Sequence, residues 1–506
     1  MWLVLAVWAV WALWAAWGLW GRGPRGLPPG PWGLPVVGYL PWLDRLRPHE
    51  TLTALSRRFG PIFTVPMGGV RAVVLAEEAL VRTALAREAC SGRAPLYLTH
   101  GLMQGHGLIC AEGPMWREQR RMVAGALKNL GAVKSAGPRR DRLQARISKG
   151  VSALLESLTG REDVEDGVDP HGHLTEAVGN VVNDVVFGRT WAPDDPTWLW
   201  LQRIQDEGTK LIGVAGAINF LPFLRLLPQN GRVIHWLKEG QRSQHALYAD
   251  LVAEARAALA PQGPPRQDDD DGVQGVQDGD NLLGAWLLEA TRRPDSPFYT
   301  DRQLHFLLAD LFGAALDTTV TTLRWLMLFV ATHPEAQQRA HRELDEVLQG
   351  RAPTLDDLAS LPFVAATIME TQRIRSVTPL GIPHGVREDT VLEGYVIPKG
   401  TMLIPLQWAI HMDPSRWGDP QEFRPERFLG EDGAVLRPDG FIPFQTGKRM
   451  CVGDEWARMM LFMFSAGLLQ RLHLSLPDGE EADLEGVCGI TLTPKDQRIR
   501  CAARNP

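Results

Sequence analysis

The feature that most constrains this chain is an apolar-periodic run near its centre, Arg302 to Thr332, the longest in the sequence and free of proline. It predicts one long helix, because proline is the residue that would break the backbone ladder. Its middle reads Asp310-Leu311-Phe312-Gly313-Ala314-Ala315-Leu316-Asp317-Thr318-Thr319. Gly313, Ala314 and Ala315 leave room for a large ligand against the helix. An Asp-Thr-Thr cluster is unfavourable in a helix interior, since these side chains compete for backbone hydrogen bonds. Local rules are broken most often at functional sites, and a polar contact between helices is the plainer alternative.

A second stretch carries its own chemistry: Phe444-Gln445-Thr446-Gly447-Lys448-Arg449-Met450-Cys451-Val452-Gly453, with a helix-like run following from Glu455 to Phe462. A thiolate is a soft, strong ligand for iron. Arg449 is placed to hold negative charge on the sulfur or on a cofactor carboxylate. Gly447 and Gly453 permit turns and the close approach of a flat cofactor. A helix starting just after Cys451 would aim amide N–H groups at the sulfur and lower its pKa. A buried free cysteine in a turn fits the same residues when they are read in isolation.

Two further pairs sit at helical spacing. Trp116 and Arg120 share a face four residues apart and form a clamp for a carboxylate, or else an amphipathic surface helix with the indole packed inward. Glu370 and Arg373 face one way and can pair bidentately, as many solvated pairs also do. Downstream lies Phe423-Arg424-Pro425-Glu426-Arg427-Phe428.

The cysteine stretch resembles the haem-binding signature of the cytochrome P450 family, and the remaining segments fall in that family's order across nearly the whole chain. The resemblance implies a mainly α fold with small β-sheets (α+β), with haem between the long central helix and the cysteine loop. It implies haem b with Cys451 as iron ligand, and Phe444 and Gly453 against the cofactor. Trp116, Arg120, His384, Arg449 and His106 would hold its carboxylates. Asp317 and Thr318 would be the catalytic acid and alcohol, although Ala315 stands where the family usually has glycine. Glu370, Arg373 and Arg427 would form a buried structural triad.

Net charge is −6, so no general bias toward nucleic acid exists. The five cysteines, Cys90, Cys110, Cys451, Cys488 and Cys501, show no CxxC and no paired spacing, which argues against disulfides and structural zinc. Residues 2–20 are apolar and uncharged, long enough to span a bilayer, and positive charge follows at Arg22 and Arg25. These flanks favour a transmembrane anchor over a cleaved signal, with the rest of the chain cytosolic. Residues 21–38 read as a Pro-rich hinge, 39–506 as the catalytic domain, and 261–280 as an acidic low-complexity loop.

The implied activity is monooxygenation of a lipophilic substrate with O2 and NADPH-derived electrons. The implied setting is the endoplasmic reticulum membrane. The partners would be NADPH–cytochrome P450 reductase, cytochrome b5 and the bilayer, with no nucleic acid. Arg117, Arg121, Lys128, Lys448 and Arg458 would offer the reductase positive charge. Apolar 215–227 would lie against the membrane over the substrate entrance. Phe441 to Glu455, Asp310 to Trp325 and Pro28 to Leu43 further resemble clan 2 microsomal enzymes, in particular arthropod ecdysteroid hydroxylases acting at carbon 25. A 26-hydroxylase, a fatty-acid or xenobiotic hydroxylase, and a haem-thiolate isomerase or sensor are the alternatives. Leu108, Phe220, Ala314, Val377, Ile382 and Ile490 are expected in the pocket.

Overall fold

The central apolar run forms one helix, Asp301–Thr332. This is seen in a computed structural model that describes residues 26–159, 166–211, 213, 215–259 and 280–504. The Thr300 side chain accepts the Gln303 N–H at 3.2 Å and caps its start, and His333-Pro334 closes its end. Among the described residues it is the one helix long and apolar enough to cross a membrane, yet 67% of that window is buried inside the protein. It is the core helix.

Around it pack α1 (Pro48–Phe59), α2 (Glu78–Ala86), α3 (Gly113–Asn129), α4 (Pro138–Thr159), α5 (Pro170–Phe187), α6 (Pro196–Leu211) and α7 (Pro228–Leu259). After them come α8 (Leu282–Arg292), the core helix as α9, α10 (Pro334–Leu348), α11 (Pro362–Ile374) and the short α12 (Gln407–His411) and α13 (Pro414–Trp417). Last is α14 (Asp454–Arg471). Helices α9, α11 and α14 are buried along most of their length, and the main core gathers where α4, α5 and α14 meet them.

A five-stranded sheet lies to one side. Its strands are β1 (Ile62–Met67), β2 (Val70–Leu75), β3 (Gly92–Arg93), β4 (His384–Gly385) and, after the two-stranded ladder β5 (Thr390–Leu392) and β6 (Tyr395–Ile397), β7 (Met402–Pro405). The spatial order is β1-β2-β7-β4-β3. The register sets Arg93 opposite His384, which puts two basic residues side by side at the sheet's end. Strands β8 (Leu472–Ser475) and β11 (Arg500–Ala503) pair near the carboxyl end. A hairpin of β9 (Val487–Cys488) and β10 (Leu492–Thr493) is held against α9 by the Trp325 indole, which donates to the Leu492 carbonyl at 2.9 Å.

The fold is mainly helical with small sheets, as expected. The stretch from Pro95 to Gly113, whose several glycines read as loop, holds a π-helical turn at Tyr97–Leu102. The piece from Thr378 to His384 enters the sheet only at His384, since Pro379 and Pro383 carry no N–H for a ladder. Residues 2–20 and 261–279 lie outside the described residues.

Candidate active site

A cavity of about 520 Å³ separates α9 from the Cys451 loop. Gly313, Ala314, Ala315, Asp317 and Thr318 line one wall, and Phe444, Cys451, Val452 and Gly453 the other. The turn that builds the second wall is sequence-dictated. Gly447 has φ +74, and a β-carbon there would sit 2.3 Å from the Leu85 carbonyl oxygen. The Cys451 N–H donates to Phe444 at 3.0 Å and closes the loop. Gly453 serves space instead: its φ is −101, and a β-carbon would meet nothing within 4 Å.

The Cys451 side chain opens onto the cavity, although the residue lies deep in the molecule. Burial raises the thiol pKa. The Gly453 N–H, Arg120 and Arg458 pull it down and Asp454 pushes it up, but desolvation dominates. The helix start does pull the thiol down, through the Gly453 N–H, but burial outweighs it. All five cysteines are free, in keeping with the absence of a disulfide pattern.

Cations crowd one edge of the cavity. Arg449 donates to the carbonyls of Ser91 (2.9 Å) and Ala111 (2.6 Å) and lies 4.2 Å from the Trp116 ring centre. Arg120 donates to the Met450 carbonyl at 2.6 Å. Arg93 donates to the carbonyls of Ile109 (2.6 Å) and Ile382 (3.0 Å). Burial, then the neighbouring Arg93, pushes Arg449 down to about 8; burial pushes Arg93 down to about 10. His384 is held well below its usual value by burial and by Arg93. Its Nδ1 bonds the Cys90 carbonyl at 3.0 Å, so Nδ1 carries the proton and Nε2 is left as an acceptor.

These groups fit a flat cofactor bearing carboxylates. The cations depress one another, and added negative charge at this edge would relieve all of them. A carboxylate near His384 would also restore the charge that a second imidazole proton needs. The cavity is flanked by a thiol on one side and small residues on the other.

On the α9 wall, Thr318 Oγ1 donates to the Ala314 carbonyl at 2.7 Å. Asp317 accepts from the Thr491 hydroxyl at 2.9 Å, and Thr491 lies at the tip of the β9–β10 hairpin. Burial pushes Asp317 up to about 6, with Thr491 pulling the other way. Adjacent in sequence, Asp317 and Thr318 are bonded to different partners. His106 does not line the cavity; it stacks on Phe306 at 5.2 Å, with Nδ1 bonded to the Gln104 carbonyl. Leu108, Ala314, Val377, Ile382 and Ile490 line it. Phe220 does not. It is 1% exposed beneath the β1–β2 turn, where its carbonyl accepts the Gly69 N–H at 3.3 Å.

Glu370, Arg373 and Arg427 come together on the far side of the loop. Arg373 grips Glu370 through two bonds of 2.6 and 2.7 Å, and both side chains are fully buried. Arg427 approaches the same carboxylate at 3.3 Å. The Arg424 N–H donates to it at 2.9 Å, and Arg373 also donates to the His411 carbonyl at 2.9 Å. The triad thus ties α11 to the chain that leads into the cysteine loop. Of the basic residues expected to meet a partner, Lys448 and Arg117 face Glu88 at 3.1 and 3.9 Å, and Arg458 covers the Phe444 ring.

Asp310 is the residue that sequence reasoning passed over. Its Oδ2 accepts the N–H groups of Leu108 (2.7 Å) and Ile109 (2.8 Å). Two helical turns back on the same face, Gln303 accepts the Gly107 N–H (3.1 Å) and donates to the Gly107 carbonyl (2.8 Å). Gly107 has φ +78, and a β-carbon there would come within 2.2 Å of the carboxylate. An acid in the middle of an apolar helix was the available signal. Burial pushes Asp310 up to about 7 against the pull of two N–H donors and Arg93. An acid whose folded pKa exceeds its unfolded value binds its proton more tightly when folded, so its contribution to stability falls as pH rises from about 4 to about 7. Asp310→Asn is expected to flatten the stability–pH curve across that window, as read by denaturant unfolding at a series of pH values. An unchanged slope would refute the assignment.

Comparison with known proteins agrees with this geometry. The sequence model described as Cytochrome P450 matches residues 28–500. The chain is 44% identical over 510 residues to cytochrome P450 306a1 of Drosophila melanogaster, covering 94% of this chain and 88% of that one. It is 32% identical to cytochrome P450 18a1 of the same fly (95% and 88% covered) and 31% identical to human cytochrome P450 2J2 (95% and 92% covered).

Proposed function

The chain belongs to the cytochrome P450 family, and on that premise we propose that it hydroxylates a steroid, an ecdysteroid precursor, on its side chain at carbon 25. It is a monooxygenase whose haem has a cysteine thiolate ligand and whose electrons come from a reductase. When bound, the haem supplies reductive activation of dioxygen and insertion of one oxygen atom into a C–H bond. Cys451 is the residue that would ligate it. Trp116, Arg120, His384 and Arg449 would hold its carboxylates. Asp317, protonated below about pH 6, stores a proton in the α9 wall, and the Thr318 hydroxyl beside it can accept and donate.

The observation that carries the steroid reading is the character of the cavity. Its lining is mostly apolar, with isolated amides and hydroxyls on α6 and α7, among them Gln205, Thr209 and Gln241. The Gln205 amide rests where a Gly313 side chain would be, its oxygen 2.7 Å from that missing β-carbon. A rigid apolar nucleus bearing a few oxygens matches such a lining. The resemblance of three segments to arthropod ecdysteroid hydroxylases points the same way.

Membrane attachment is part of the proposal. Trp32 (64% exposed), Val36, Leu46, Phe223 and Leu226 (85% exposed) are large apolar side chains on the surface. The β1–β2 turn bridges the two groups: the Gly69 N–H donates to the Phe220 carbonyl on one side and the Gly68 N–H to the Val37 carbonyl on the other. Such a surface suits contact with lipid, with residues 2–20 as the anchor and the catalytic domain on the cytosolic face of the endoplasmic reticulum. Within the proposed hinge, the carbonyls of Gly26 and Pro29 accept the N–H groups of Val396 on β6 and Thr64 on β1, so the hinge rests on the edges of two sheets.

The test is turnover by the full chain with NADPH and reductase, offered ecdysteroid precursors and fatty acids, with products located by mass spectrometry. One added oxygen on the sterol side chain is expected. Turnover of fatty acids with no steroid product would remove the assignment.

A further inference from the structure

A second cavity, of about 230 Å³, opens between α3, α4 and α8 on the far side of α3 from the cofactor space. Six guanidiniums line it: Arg121 from α3, Arg139, Arg142 and Arg146 from α4, and Arg292 and Arg293 at the end of α8. Among the described residues three carboxylates, Glu118, Asp280 and Glu289, face them, and Arg139 donates to the Asn129 side-chain oxygen at 3.1 Å. Two of these are engaged: Glu289 with Arg292 and Arg293, and Glu118 with Arg293 at 3.6 Å and with the Ser296 hydroxyl at 3.0 Å. Arg146 is paired with Asp184 at 3.1 Å. Arg121 and Arg142 have no ion pair or hydrogen bond to any described residue.

Hydrogen bonds brace the walls. The Trp286 indole of α8 donates to Gln119 of α3 at 2.9 Å, and the Gln119 amide donates to the Phe298 carbonyl at 3.0 Å. Tyr299 completes the lining, and its buried hydroxyl has no hydrogen-bond partner among the described residues. Burial and the Glu289 and Glu118 charges push it up to about 12, so it remains a neutral donor. Guanidiniums in excess, converging from three helices onto one concave space beside a free O–H donor, match a ligand with several acceptor oxygens.

We propose that this cleft is an anion site that takes a small phosphate-bearing polyanion of the diphosphate class. Bidentate contacts from Arg121 and Arg142 provide the grip, and the paired Arg146, Arg292 and Arg293 supply the surrounding field. The site is separate from the cofactor's edge, whose cations face the first cavity. It stands independently of the substrate assignment.

The test is isothermal titration of the full-length holoenzyme with inorganic pyrophosphate, at ionic strength held constant with chloride. One saturable site per chain is expected. Arg142→Gln should weaken it about tenfold, Arg121→Gln likewise, and the pair more than either. Arg57→Gln, an arginine on α1, should leave it unchanged, and the reduced carbon-monoxide spectrum of Arg142→Gln should match the parent. No saturable heat, or equal weakening by Arg57→Gln, would mean nonspecific screening and overturn the proposal. Loss of reductase affinity in Arg121→Gln and Arg142→Gln with pyrophosphate binding intact would also overturn it, since the cleft would then be a partner's docking face.

Discussion

Cys451→Ser is expected to give folded protein whose reduced, carbon-monoxide-treated spectrum lacks the thiolate-haem band, with monooxygenase turnover lost. The side chain faces the cavity and is not packed into the core, so the fold has little stake in its sulfur. Serine can keep the acceptor role toward the Gly453 N–H. What it cannot supply is a soft, readily ionised ligand, because an alcohol ionises far less easily than a thiol. Cys488→Ala and Cys501→Ala serve as controls. Both thiols are buried and pushed up to about 12, away from the cavity, and the band should survive in each. A persistent thiolate band in Cys451→Ser would place the ligand elsewhere.

The second large effect is expected from Glu370→Ala. It strands Arg373, fully buried, removes the countercharge facing Arg427 and leaves the Arg424 N–H without its acceptor. Removing one partner of a buried pair costs about 3–5 kcal/mol, a large part of the roughly 5–15 kcal/mol by which domains are stable. Denaturant unfolding of purified holoenzyme should show this loss, and recovery of haem-loaded protein should fall with it. Glu370→Leu combined with Arg373→Met should lose less than Glu370→Leu does, because no charge is then left buried without a counterpart. Equal losses in the double and single variants would show that the carbonyl contacts of Arg373, not the carboxylate, carry the stability.

Much of this was legible in the sequence where the chemistry is local. The cysteine loop announces itself because its closing bond, Cys451 N–H to the Phe444 carbonyl, encloses a turn at Gly447 whose positive φ favours glycine. The α9 run and the Glu370–Arg373 spacing are set by helix periodicity. Helix α4 was legible too, through Leu143, Ile147, Val151, Leu154 and Leu158, a buried stripe at steps of three and four that was not read. What could not be read was partner choice across the chain. Asp310 meets Leu108 from 202 residues away, and Asp317 turns to Thr491 instead of its neighbour. Phe220 looked like pocket lining because it is apolar and near a pocket-covering segment, yet the β1–β2 turn claims it. His106 carries no mark in sequence that distinguishes stacking on Phe306 from binding a carboxylate. The thiol's raised pKa likewise comes from the depth of burial, which no motif encodes.

The pinning of Gly107, Leu108 and Ile109 to α9 has a kinetic meaning. Four hydrogen bonds, two from Gln303 and two from Asp310, hold three consecutive residues to points two helical turns apart. The two N–H donors to Asp310 share one oxygen and so are expected to release together. Arg93 and Arg449 add bonds to the Ile109 (2.6 Å) and Leu108 (3.4 Å) carbonyls, so release is rarer than the roughly one molecule in a thousand that the four α9 bonds alone would give at about 1 kcal/mol each. Amide exchange at Leu108 and Ile109 should then proceed at one common rate, and that rate is the clock on which this edge of the cavity opens.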